Sequence, residues 1–158
     1  MKHTILGAGG SIGNTLANEL LRLKESVRLV SRSNYSIIGA ESFKADLSSY
    51  EETLSSIKGS DIVYLVAGLP YDRNVWKKLW PQIMKNVIDA CKNWNVDGII
   101  YERMQYCEIW GGEAAYFQDR LKDAGIPILT VEREEQMTNE GQLAIRAEAF
   151  IEMIEKED

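Results

Sequence analysis

The stretch GAGGSIG, residues 7–13, carries glycines at positions 7, 10 and 13. Without Cβ atoms such a backbone turns tightly and lets a ligand approach closely. If a helix begins at once, its first N–H groups point at the same spot and favour an anion such as a pyrophosphate. Three further groups follow in order: Arg32 within Ser-Arg-Ser, the pair Asp46-Leu47, and Ala67-Gly68. The remaining residues with reactive side chains are sparse. There are two cysteines, Cys91 and Cys107, and one histidine, His3. Two thiols make no disulfide framework, and a lone histidine excludes a His-rich metal site. His3 is expected at the surface or at a strand edge.

These groups need elements to position them. HTILGA (3–8) reads as a short buried strand, and residues 11–24 as a helix with Ile12, Leu16, Leu20 and Leu23 at helical spacing. SVRLVS (26–31) is the second strand, and the region around ESFKADL (41–47) a weaker third. Residues 48–58 fit a helix capped by Ser48 or Ser49, with Glu51 and Glu52 in its first turn. DIVYLVA (61–67) is the clearest strand. Residues 74–94 form a long helix with a stripe of Trp76, Trp80, Ile83, Val87, Cys91 and Trp94. Pro81 lies inside it and predicts a kink or two abutting helices. DGIIYE (97–102) is the fifth strand, residues 112–124 a helix stopped by Gly125 and Pro127, IPILTVE (126–132) the sixth strand. Residues 140–156 give a last helix with Leu143, Ala147, Phe150, Ile151 and Ile154 on one face.

Strands alternating with helices predict an α/β fold: a single three-layer αβα domain over 1–158 with a doubly wound parallel sheet. The expected strand order is 3-2-1-4-5-6, with a ligand crevice at the carboxyl ends of strands 1 and 4. The chain has 158 residues, 45% apolar and 27% charged, enough for one full core. The formal net charge of −6 would repel a phosphate backbone, so nucleic acid is not an expected partner. The longest apolar run, IVYLVAGL (62–69), is too short to span a bilayer, and no signal peptide precedes the first strand. A cytoplasmic protein, monomer or homodimer, is the expectation.

Taken in order, the groups describe a dinucleotide site of Rossmann type. Gly7, Gly10, Ser11, Ile12 and Gly13 would carry the pyrophosphate at the start of the first helix. Arg32 stands where an acid would hold the adenosine ribose, and so favours a 2′-phosphate, hence NADP over NAD. Asp46 and Leu47 would flank the adenine. Ala67 and Gly68 would pass the middle of the dinucleotide.

Gly7-x-x-Gly10-x-x-Gly13, Arg32, Asp46-Leu47, DIVYLVAG (61–68) and NVIDACK (86–92) resemble the epimerase-like branch of the extended and atypical short-chain dehydrogenase/reductases, over roughly residues 1–95. That resemblance implies a Rossmann half that binds NAD(P). It also implies a catalytic Tyr-x-x-x-Lys, the proton donor of that chemistry. None is present: Tyr71, Tyr101, Tyr106 and Tyr116 are followed four residues on by Val75, Gln105, Trp110 and Arg120. From about Val96 the chain resembles a second family. Asp97-Gly98, Cys107, Gly125-Ile126-Pro127, Gly141-Gln142, Arg146 and Glu148-Ala149-Phe150 are similar to the C-terminal domain of the 2-hydroxyacyl-CoA dehydratases and benzoyl-CoA reductases.

In that family the cysteine after this strand is one of several holding an iron–sulfur cluster. A cluster needs about three or four thiolates, so none is expected here, and Cys107 reads as a free loop thiol. Cys91, on the apolar stripe, reads as packing. Gln142 and Arg146 read as solvated helix residues, with an anion contact as the alternative.

Two resemblances on one chain, meeting near 94–97, predict a chimera, with deliberate fusion as the simplest origin. The expected function is a non-catalytic Rossmann-like module with at most NADP(H) binding. The alternatives are a small NADP-dependent reductase or epimerase, and a fragment of an iron–sulfur acyl-CoA dehydratase.

Overall fold

The computed structural model describes residues 1–33, 35–70, 72–94, 99–104, 119, 123, 127–133 and 140–155. The chain forms two compact units, Met1–Val96 and Asp97–Asp158.

In the first unit, β1 (Lys2–Leu6), β2 (Ser26–Ser31), β3 (Glu41–Lys44) and β4 (Ile62–Leu65) make a parallel sheet of order β3-β2-β1-β4. The order of the first four strands is the expected one. Register places Leu6 beside Val30 and Leu65, so the carboxyl ends of β1, β2 and β4 reach one edge together. Strand alternation separates two faces. On one, Ile5, Val27 and Leu29 pack against Ala17 and Leu20 of α1 (Ser11–Arg22). On the other, Arg28 reaches the end of α2 (Tyr50–Ser56), which packs on α3 (Arg73–Asn93). Burying an Ile or Leu of this kind stabilises by about 1.5–3 kcal/mol.

Several elements differ from expectation for identifiable reasons. The buried face of α1 is Gly13, Ala17 and Leu20, while Ile12 is 44% and Leu23 55% exposed. Small residues win because the helix lies close against the sheet: a Cβ on Gly13 would stand 3.4 Å from both Gly7 O and Val66 Cγ2. The helix α3 runs through Pro81 as one element. Trp80, Ile83, Met84 and Val87, all buried, hold the segments on either side of the proline, which offsets a cost of about 3 kcal/mol for the lost bond and the ring clash.

His3 is not at the surface. It lies 6% exposed on β1, inside the sheet, with Nδ1 3.0 Å from Tyr64 Oη. The end of the α3 stripe behaves oppositely: Trp94 is 38% exposed and donates Nε1–H to Leu54 O at 3.1 Å.

The second unit contains β5 (Ile99–Met104) and β6 (Ile128–Arg133), paired in parallel, and α4 (Glu140–Glu155). Phe150, from the predicted stripe of α4, is buried. The helix expected at 112–124 falls largely outside the described residues; Asp119 and Asp123 are helical. Cys107 also lies outside them. Among the described residues no helix is long and apolar enough to cross a membrane.

Candidate nucleotide site

The carboxyl edge of the four-stranded sheet opens into a cavity of about 490 Å³. Its first wall is the glycine loop. Gly7 has φ +99°, and a Cβ there would lie 2.3 Å from Ala67 Cα and 2.5 Å from Ala67 N. Only glycine fits between β1 and the segment after β4. The Gly7 and Ala8 N–H groups both donate to Val30 O at 3.0 Å, which ties the loop to the end of β2. Gly10 has extended backbone, gives α1 no side-chain cap, and no acidic residue stands in the first turn of that helix. The first turn of the helix thus sets no carboxylate against the positive end of its dipole. A Cβ on Gly10 or on Gly68 would meet nothing within 4 Å, so at both positions the bare backbone faces open cavity.

The second wall is the turn after β3. Asp46 Oδ1 accepts from the N–H of Ser48 at 2.9 Å and from its hydroxyl at 2.8 Å. These two bonds, helped by the charge of Arg32, hold the Asp46 carboxyl below the usual carboxylate range against a smaller desolvation effect. The Asp46 N–H donates to Glu52 Oε2 at 2.8 Å. Ser49 caps α2, accepting from Glu52 N–H at 3.4 Å. Arg32 and Ser33 follow β2 as exposed residues on the same cavity.

Of the residues singled out in the sequence, Gly7, Gly10, Arg32, Asp46, Leu47, Ala67 and Gly68 line this cavity together. Ser11, Ile12 and Gly13 do not. Ser11 and Ile12 are exposed on the first turn of α1, and Gly13 is buried beneath the loop. The cavity also takes Ser31, Ser48, Val66 and Leu69, neighbours of the predicted residues, and Leu79 and Ile83 from α3. Only helical phase pointed at α3, and phase does not say which strand end a helix covers.

A dinucleotide fits what these residues offer: a bare glycine cradle, an uncapped helix start, one exposed guanidinium and a carboxylate acceptor. An iron–sulfur cluster does not fit this chain. The sequence holds two cysteines, and Cys91 is 1% exposed, its thiol pushed up by burial to about 12. A protonated buried thiol is no cluster ligand. Among the described residues no group of His, Cys, Asp or Glu is arranged to hold a metal ion. In the second unit, Gln142 is exposed and Arg146 donates Nη2–H to Thr130 O at 2.7 Å. That bond docks α4 on β6.

Solved structures of similar fold include proteins solved with NAD. The enzyme WbmH of Bordetella bronchiseptica, solved in complex with NAD+, matches with a TM-score of 0.68 at 17% identity, over 83% of this chain and 55% of that one. The UDP-glucose 4-epimerase of Thermus thermophilus, solved with NAD, gives 0.66 at 16% identity, over 84% and 54%. A Rossmann-fold NAD(P)-binding family protein from Shigella flexneri gives 0.64 at 19% identity, over 83% and 66%. At such identities the likeness establishes the α/β Rossmann-like fold, and the chain spans about half the length of the first two. A comparison with curated proteins found no match.

A family model, 2-hydroxyglutaryl-CoA dehydratase, D-component, matches residues 11–154. It starts far upstream of Val96, where the sequence resemblance to such dehydratases began, and passes unbroken through 94–97. Nothing in the molecule supports a deliberate fusion there. On this match over most of its length, the chain belongs to the 2-hydroxyglutaryl-CoA dehydratase, D-component, family.

Proposed function

We propose that this chain is a dinucleotide-binding member of its family, taking NADP(H) at the glycine-loop cavity and carrying no proton-transfer catalyst of its own. The observation that carries the reading is the cavity itself. Gly10 and Gly68 present bare backbone to it, Gly7 lets the loop close against Ala67, and the uncapped start of α1 borders the same space. A volume of about 490 Å³ lies within the usual range for small-molecule sites, about 300–1,000 Å³. Arg32 supplies the cation that a 2′-phosphate would meet, and Asp46 an acceptor for an exocyclic amine.

Two other readings are weaker. A reductase or epimerase of the short-chain type needs a Tyr-x-x-x-Lys, and no tyrosine of this sequence begins one. Cluster-dependent dehydration of an acyl-CoA needs a thiolate set that two cysteines do not supply. The reading therefore keeps the family membership and separates it from cluster chemistry.

Isothermal titration of the purified chain with NADP+, NADPH and NAD+ tests it. Binding of the 2′-phosphorylated forms in preference to NAD+ is the expected result. No heat with any of them at millimolar concentration defeats the proposal. Turnover of NADPH with a carbonyl or sugar-nucleotide substrate would restore the reductase reading.

A further inference from the structure

The turn Asp46-Leu47-Ser48 is held from a helix to which no sequence motif connects it. Asn86, buried on α3 at 7% exposure, donates Nδ2–H to Leu47 O at 3.0 Å. One helical turn earlier, Gln82 donates Nε2–H to Ser48 O at 2.7 Å. Thr53 of α2 adds a hydroxyl bond to Leu47 O at 3.3 Å. The same stretch of α3 places Leu79 and Ile83 on the cavity. Lys85 and Asp89, by contrast, pair with each other as an exposed i,i+4 ion pair. Thus the helix both covers the cavity and grips the backbone of its opposite wall.

We propose that Gln82 and Asn86 are positioning residues that set the base selectivity of the nucleotide cavity, by fixing the turn that carries Asp46. This inference rests on reading the cavity as a nucleotide site. Asp46 Oδ1 is committed to Ser48, so the second carboxylate oxygen is the one left to a ligand. A carboxylate oxygen accepts from the amino group of adenine and repels the carbonyl oxygen that replaces it in hypoxanthine. Selectivity of that kind requires the acceptor to stay in place. With both carbonyls tied to α3, the turn keeps one geometry. With either bond removed, the turn gains freedom and the carboxylate follows it.

The test compares binding of ADP and of inosine diphosphate to the wild type, Gln82→Ala and Asn86→Leu, by calorimetry. Gln82 is exposed, so its removal leaves the core intact even if Asn86→Leu folds poorly. The wild type is expected to prefer ADP by about tenfold, the worth of one charge-assisted hydrogen bond. Each variant is expected to lose most of that preference, chiefly through weaker ADP binding. A purely structural role would weaken both ligands equally. A variant that binds ADP with the wild-type preference overturns the inference alone. A wild type that binds neither nucleotide overturns the inference and the reading of the cavity together.

Discussion

The two ends of the four-stranded sheet use the same kinds of residue in opposite ways. At the amino end the charged groups turn to partners inside the protein, though His3 Nε2 and Arg28 Nε make no hydrogen bond. Arg28, 7% exposed, donates to Ser56 O at 2.8 Å and to Lys58 O at 2.9 Å, and its Nε stands 3.0 Å from Glu41 Oε1 as an ion pair without hydrogen-bond alignment. Lys2 also pairs with Glu41, at 3.0 Å, and its N–H donates to Asp61 Oδ2 at 2.6 Å. At the carboxyl end Arg32 is exposed, the helix start is uncapped, and glycines leave the backbone bare. An end supplied with internal partners holds the strands in register. An end left incompletely matched has hydrogen-bonding capacity for something from outside.

Substitutions at each end sharpen or break that contrast. The largest effect is expected at Gly7→Ala. The new Cβ would enter the space of Ala67 at 2.3 Å and the residue would sit at φ +99°. Strain and overpacking together cost about 3 kcal/mol, read as a lower urea midpoint. Nucleotide binding should be lost as well, because the clash lies in the cavity wall.

Next comes Arg28→Met, which keeps the apolar stem but strands the Ser56 and Lys58 carbonyls. A loss of about 2 kcal/mol is expected, with nucleotide affinity unchanged once the protein is folded. If Arg28→Met instead abolishes binding at full folding, the two ends are coupled and the contrast fails. Arg32→Asp is the converse case. Thermal unfolding should barely move, while preference between NADP+ and NAD+ inverts by about tenfold or more, since an attractive charge becomes a repulsive one. Unchanged preference would remove Arg32 from the site.

The smallest effect is a pH dependence at the amino end. Burial holds His3 below the ordinary histidine range, with the Glu25 carboxylate opposing it from 3.5 Å. A histidine whose folded value lies under its unfolded one binds fewer protons when folded. Its neutral form is therefore favoured above about pH 6.5, and stability falls as pH drops below that through the folded value. Urea midpoints at pH 7.5 and 5.5 should show the decline, and His3→Asn should flatten it. A midpoint that rises on acidification would contradict the assignment.

Much of this was legible from local pattern. The glycine loop and a cap at Ser48 or Ser49 follow from short-range rules, because turn and cap chemistry are local; the order from β3 to β4 follows from the rules of doubly wound sheets, and seven of the residues singled out line the cavity. What failed did so where distant packing decides. Ile12 and Leu23 have the right spacing for a buried face, yet the close approach of α1 to the sheet turns Gly13 and Ala17 inward beside Leu20, which the stripe did predict. Pro81 reads as a kink or a junction of two helices, and α3 is one continuous helix through it. His3 reads as peripheral because it opens its strand; its burial comes from contacts such as that with Tyr64, 61 residues away.

Residue types and spacing by themselves determined the α/β layout, the glycine loop and the lack of both a Tyr-x-x-x-Lys and a cluster's worth of cysteines. Only the tertiary structure decided that Gln82 and Asn86, more than thirty residues away, hold the turn that forms one wall of the cavity. Hydrogen bonds at that separation depend on where a helix lands on a sheet. That placement is set by the summed packing of many side chains and leaves no mark at the positions that make the bonds.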